Sequence, residues 1–212
     1  MINKRDNISI IGFAISFLLF NSAIFVIMKI NPLLWPFNEG MTVRKAYIAI
    51  IIYSPMLLYS LFSLLWIKYS NRLITVHFNY NKFDLSFYFC ALISLSYSIY
   101  LLHDIRIINP RLLFPIFVLC VINSVSEEII YRLVFSELLK NIYSSFLLCN
   151  TFQALYYSII HFYIGGLKFG IFAIVYGLML GYIRKKNNSI LPTIICHFLI
   201  DLGCIGTPML KM

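Results

Sequence analysis

Long apolar runs joined by short polar segments organise this chain. The runs cover residues 8–30, 46–67, 83–102, 112–139 and 146–164, followed by two shorter ones at 169–183 and 190–205. About 20 apolar residues carry a helix across a bilayer, so the pattern predicts about seven spanning helices. The joints contain residues that interrupt helices: Asn31-Pro32, Asn109-Pro110, Gly165-Gly166 and Asn187-Asn188-Ser189. The expected fold is all-α, a polytopic transmembrane helix bundle. Residues 1–212 read as one membrane domain, with N-terminal spans over 1–105 and a polar-bearing core over 110–205. The first run is too long for the apolar core of a signal peptide and has no small-residue cleavage site after it.

Composition agrees with the pattern. Hydrophobic residues make up 61% of the 212 positions, charged residues only 12%, and mean hydropathy is +0.86. A soluble domain is about one-quarter charged, so this surface is expected to meet lipid. The net charge of +9 does not point to nucleic acid, because Lys and Arg stand singly or in threes between apolar runs, as in a membrane protein that marks its cytoplasmic side. With the N-terminus inside, that side holds Lys4, Arg5, Lys68, Arg72, Lys82, Lys140, Arg184, Lys185 and Lys186. The opposite side holds Lys29, Arg44, Lys45, Arg106, Arg111, Lys168 and Lys211. Nine against seven favours the N-inside orientation. Cys90, Cys120, Cys149, Cys196 and Cys204 form no CxxC pair and read as small buried hydrophobes.

The first three runs carry almost no chemistry. Asp84 stands at a helix entrance, where a carboxylate suits the helix dipole, and His77 and His103 fall in loops. The later runs differ. Glu127, Glu128 and Arg132 lie in the fourth, Tyr157 and His161 in the fifth, and His197 and Asp201 in the last. A charged group near the centre of a spanning helix costs roughly 2.5–3.5 kcal/mol on insertion scales. Several such groups must face one another or a wet cavity. Glu128 and Arg132 are four residues apart and can pair on one face, which leaves Glu127 unspent. Tyr157 and His161 share the same spacing, as do His197 and Asp201. Three helices thus offer a free carboxylate, two imidazoles and an orienting acid, an inventory that suits general acid–base catalysis or metal ligation.

Three segments carry a family resemblance. Glu127-Glu128-Ile129-Ile130-Tyr131-Arg132 resembles the EExxxR motif of the CPBP (CAAX protease and bacteriocin-processing) family of intramembrane proteases. Tyr157-Ser158-Ile159-Ile160-His161 is similar to its FxxxH motif, with Tyr for Phe, and His197-Phe198-Leu199-Ile200-Asp201 is similar to its HxxxN or HxxxD motif. The run from Gly177 to Tyr182 and the basic turn before Pro192 also resemble the family's approach to that last motif. The resemblance covers roughly residues 110–205. Leu133 departs from the Gly that many members carry after the Arg, and the Tyr157 hydroxyl needs a partner.

The resemblance implies an intramembrane endopeptidase in the cell membrane of a bacterium, acting on a membrane-associated peptide or membrane-anchored protein. Glu127 would activate water, His161 would hold that water or serve as the acid, and His197 with Asp201 would stabilise the oxyanion or, for Asp201, orient His197. Glu128, Arg132 and Tyr157 would support them, with Arg132 neutralising Glu128. Both prenylated proteins and small unmodified peptides fit as substrates. No cofactor is expected. Two His and a Glu could nevertheless hold zinc, although no HExxH motif is present. Two other classes remain open: a non-catalytic bacteriocin self-immunity or scaffold protein, and a proton-coupled transporter, for which no inverted repeat is evident.

Overall fold

Asn109 accepts a hydrogen bond from the Arg111 amide at 3.1 Å, with Pro110 at the first helical position. This is a cap followed by a residue whose missing N–H is not needed there. It starts the helix on which the rest of the molecule packs. The computed structural model describes residues 4–30, 42–69, 83–103, 105 and 109–210. Their helices are α1 (Lys4–Ile30), α2 (Val43–Tyr69), α3 (Leu85–Leu102) and α4 (Pro110–Lys140), then α5 (146–164), α6 (Gly165–Asn187), α7 (Leu191–Cys204) and the short α8 (Gly206–Leu210). The described residues contain no strand, as the all-α expectation requires.

Among the described residues, four helices are long and apolar enough to cross a membrane: α2, α3, α4 and α6. Helix α7 (Leu191–Cys204) is apolar but shorter. The helices agree with the expected all-α bundle of about seven helices, four of them long apolar candidate spans among the described residues. Asn150, Gln153 and His161 interrupt the apolar character of α5. Polar partners account for the first two: Asn150 Nδ2 donates to the Leu178 carbonyl and Gln153 Nε2 to the Gly177 carbonyl, each at 3.0 Å, tying α5 to α6.

Helices α5 and α6 run together except at Gly166, whose φ of 69° and ψ of −164° break the helical path. A residue with a Cβ scarcely reaches that region, so the Gly165-Gly166 signal marks a real bend. Asn188, left-handed at φ 45°, ends α6. Asp84 caps α3 by accepting the Ser86 amide at 2.9 Å, and hydrogen bonds from Ser86 hold its carboxyl below the usual carboxylate range. His77, Arg72, Lys82 and Arg106 lie outside the described residues.

Helix α4 is central. In its apolar window 61% of residues are buried, against 22% for α2 and α3 and 33% for α6. Phe17 of α1 meets Tyr131 edge-on at 5.4 Å. Helix α3 lies along α7, where the Ser98 hydroxyl bonds the Leu199 carbonyl and accepts the Gly203 amide. From Glu128 to Phe135, α4 widens into a π-helical segment whose eight residues are all buried. Such turns are rare and frequent at functional sites. The four cysteines Cys90, Cys120, Cys149 and Cys196 are buried and unbridged, and Cys204 is half-buried.

Candidate active site

The wide turn of α4 faces the middle of α7, and there the polar residues meet. His197 Nδ1 donates to Glu128 Oε1 at 2.8 Å. His197 Nε2 lies 3.6 Å from Glu127 Oε2, 3.7 Å from Asp201 Oδ1 and 3.5 Å from the Tyr157 hydroxyl. Glu127, Glu128, His197 and Asp201 are all less than a tenth exposed. Three carboxyl groups from two helices thus surround one imidazole, with one guanidinium beside them. At such burial the charges must compensate one another.

Four features of the structure bear on the sequence expectations. First, the acid that fixes the His197 ring is Glu128, at hydrogen-bond distance, whereas Asp201 stands further off on the opposite nitrogen. Asp201 is itself held by Asn123, whose Nδ2 donates to Oδ2 at 3.0 Å. Second, the expected Glu128–Arg132 ion pair is present, but through a single long contact. Arg132 Nε is 3.5 Å from Glu128 Oε2 and no hydrogen bond joins them. The guanidinium instead lies over the Tyr157 ring, 4.5 Å from its centroid.

Third, His161 sits one layer away from the meeting point of Glu127 and His197. Its Nδ1 hydrogen-bonds the Tyr157 carbonyl at 2.9 Å, and its ring packs 4.2 Å from Tyr157 and 5.2 Å from Phe169. Helix rise explains this. Tyr157 is the residue of α5 whose side chain reaches His197, and His161 is one turn further along that helix, about 6 Å. His197 reaches the same level because α7 starts inside the protein, behind the buried Ser189 and Ile190. Fourth, the cavity beside the cluster, about 320 Å³, is lined by Arg132 rather than by Glu127, His161 or His197.

Two groups in the cluster carry no sequence signal of their own. Asn123 lies on α4 one turn before Glu127 in an otherwise apolar stretch. Tyr53 of α2 stands within electrostatic reach of Glu127 and Asp201. Hydrogen-bond occupancy separates the two adjacent glutamates. Oε2 of each is buried without a hydrogen-bond partner, but Glu128 Oε1 is taken by His197, whereas Glu127 meets His197 only at 3.6 Å. An unengaged carboxylate oxygen facing an imidazole is suited to taking a proton from a water placed between them. Among the described residues, no three His, Cys, Asp or Glu side chains converge in a geometry that could hold a metal ion.

No curated protein and no solved structure matches the chain. One family does: the family described as type II CAAX prenyl endopeptidase Rce1-like matches residues 109–203, the segment that contains every member of the cluster except Tyr53. Over this segment, a little under half of the chain, the protein is similar to that family of CAAX proteases.

Proposed function

We propose that the chain is an intramembrane endopeptidase in which Glu127 activates the attacking water. The observation that carries this reading is the buried meeting of Glu127 and His197 at 3.6 Å, with one Glu127 oxygen unengaged, inside the segment matched to a protease family. Glu127 takes a proton from water, and the resulting hydroxide attacks the peptide carbonyl. His197, held by Glu128 through Nδ1, presents Nε2–H to the developing oxyanion. When the tetrahedral intermediate collapses, the carbon–nitrogen bond breaks and the proton on Glu127 passes to the leaving amine. His161 keeps Nε2 for the substrate or the water, because Nδ1 is spent on the Tyr157 carbonyl. Asp201 and Asn123 position the far side of the His197 ring.

The substrate class is a peptide or protein tail at the membrane, with the chain embedded N-terminus inside. The proposal takes the metal-free route, in which His197, with Nδ1 held by Glu128, acts as a donor through Nε2. The test uses the purified full chain in defined lipid discs with a panel of lipid-anchored peptides. Wild type should release peptide fragments and Glu127→Gln should release none, because an amide cannot take a proton from water. Equal release by both proteins would overturn the assignment of Glu127. A scaffold or immunity role would instead survive Glu127→Gln unchanged. Exhaustive chelation should leave the activity intact, whereas loss on chelation and recovery with stoichiometric zinc would replace the proposal with a Lewis-acid mechanism.

A further inference from the structure

The cavity of about 320 Å³ lies where α4 ends at Lys140, α5 begins at Phe146 and α6 ends at Asn187. That volume is at the lower end of the range for small-molecule sites. Charge at its wall is unbalanced. Lys140 Nζ and Arg184 Nη2 both reach the same oxygen of Glu137, at 2.7 and 2.8 Å, and the Lys185 ammonium lies over the Phe146 ring at 4.1 Å. Three cations thus share one carboxylate, which leaves two positive charges over. Arg132, deeper in, is offset by Glu128. The surplus is reachable from solvent: the Lys140 side chain is 51% exposed and Lys185 is exposed. Arg184 is pinned at the wall, where its Nη1 donates to the Ser136 hydroxyl at 3.3 Å.

Position narrows the ligand. The ends of spanning helices lie at the level of the lipid headgroups, just outside the hydrocarbon core. Leu147, next to Phe146, and Tyr182, next to Gly181 of the lining, are both exposed and offer apolar surface beside the mouth. A ligand with a phosphate for the ammonium and guanidinium groups and hydrocarbon to lie along the flanking helices meets both features. A zwitterionic headgroup would bring a cation of its own to a wall already in surplus, whereas a net anionic one compensates it. Basic pockets between helix ends collect such headgroups. We infer that this cavity binds the phosphate headgroup of an anionic phospholipid, from the leaflet that this end of the bundle meets, through Lys140, Arg184 and Lys185. The site stands apart from the Glu127–His197 cluster and does not depend on the hydrolase reading.

Native mass spectrometry of the full-length protein, released from discs of phosphatidylglycerol and phosphatidylcholine in equal parts, reads the site. Wild type should retain phosphatidylglycerol over phosphatidylcholine by roughly tenfold once bulk lipid is stripped away. Lys140→Gln combined with Lys185→Gln should remove most of that preference. Its melting temperature should stay close to wild type, because both side chains are exposed and an exposed ion pair contributes little. Arg44→Gln combined with Lys45→Gln takes the same charge from the first turn of α2 instead and should leave the preference intact. Ser136→Leu narrows the cavity at unchanged charge and should weaken retention several-fold. Equal retention of the two lipids by wild type, equal loss in the two double variants, or full retention in Ser136→Leu would each overturn the site. Excess soluble glycerol phosphate should not displace the lipid. Displacement would assign the cavity to a free phosphate compound and overturn the headgroup inference.

Discussion

Asn123 and the two glutamates divide the cluster between parts that the sequence displays and parts that it conceals. The four-residue spacing of Glu128 and Arg132, and of His197 and Asp201, is visible in the sequence because helix geometry alone brings such residues onto one face. Asn123 is not visible, because its partner Asp201 lies 78 residues away on another helix. Removing its donor leaves a carboxylate oxygen at a site only 5% exposed. Asn123→Ala should therefore lower stability by about 1–3 kcal/mol, read as a lower melting temperature in detergent. The glutamates should respond unequally to neutralisation. Glu128→Gln removes the charge that faces both His197 and Arg132, and breaking a buried pair from one side costs about 3–5 kcal/mol. Glu127→Gln removes a carboxylate that meets His197 only at 3.6 Å, beyond hydrogen-bond distance, and should melt closer to wild type than Glu128→Gln. Equal melting of the two variants would refute this division between a structural and a reactive glutamate.

At the scale of the helices, the breaks were legible and the wide turn was not. Gly165-Gly166 announces a bend, and Gly166 adopts a backbone conformation open to little but glycine. Gly166→Ala should cost about 1–3 kcal/mol. The π-helical segment Glu128–Phe135 leaves no trace in the apolar pattern, because all eight residues are buried whichever way the turn is wound. Contact between α3 and α7 was equally hidden. A Cβ on Gly203 would come within 2.6 Å of the Ser98 Cα, which is backbone and cannot rotate away. On Gly206 the nearest atoms would be side-chain carbons at 3.7 Å, an ordinary contact. Gly203→Ala should therefore separate α3 from α7 and lower both melting temperature and peptide release. Gly206→Ala should be close to silent in both. If the two alanine variants melt together, the tight α3–α7 contact is not what sets the position of His197.

For the whole molecule, the fold class was plain from composition and run length, whereas the placement of the helices relative to the membrane needs the assembled bundle. The structure shows which ends belong together. Asn187 at the end of α6 accepts the amide of Asp84 at the start of α3 at 2.7 Å. Arg184 of α6 and Lys140 of α4 share Glu137. Lys68 lies in the last turn of α2, which runs beside α4 in the same direction. The described basic residues of the nine-member group thus collect at one end of the bundle, and Arg44, Lys45 and Arg111 at the other. Positive charge near short loops selects the cytoplasmic side, so the end with Lys140, Arg184, Lys185 and Lys186 should face the cytoplasm, and the cavity beside Arg132 should open there. Single cysteines can read this out. Ser144, exposed in the turn between α4 and α5, and Thr42, exposed just before α2, stand at opposite ends. The five native cysteines are buried or half-buried and should label slowly with a membrane-impermeant maleimide. Thr42→Cys should react in intact expressing cells, and Ser144→Cys only after permeabilisation. The reverse pattern would turn the bundle over, place the basic cavity at the outer leaflet, and leave the geometry of the Glu127–His197 cluster as it stands.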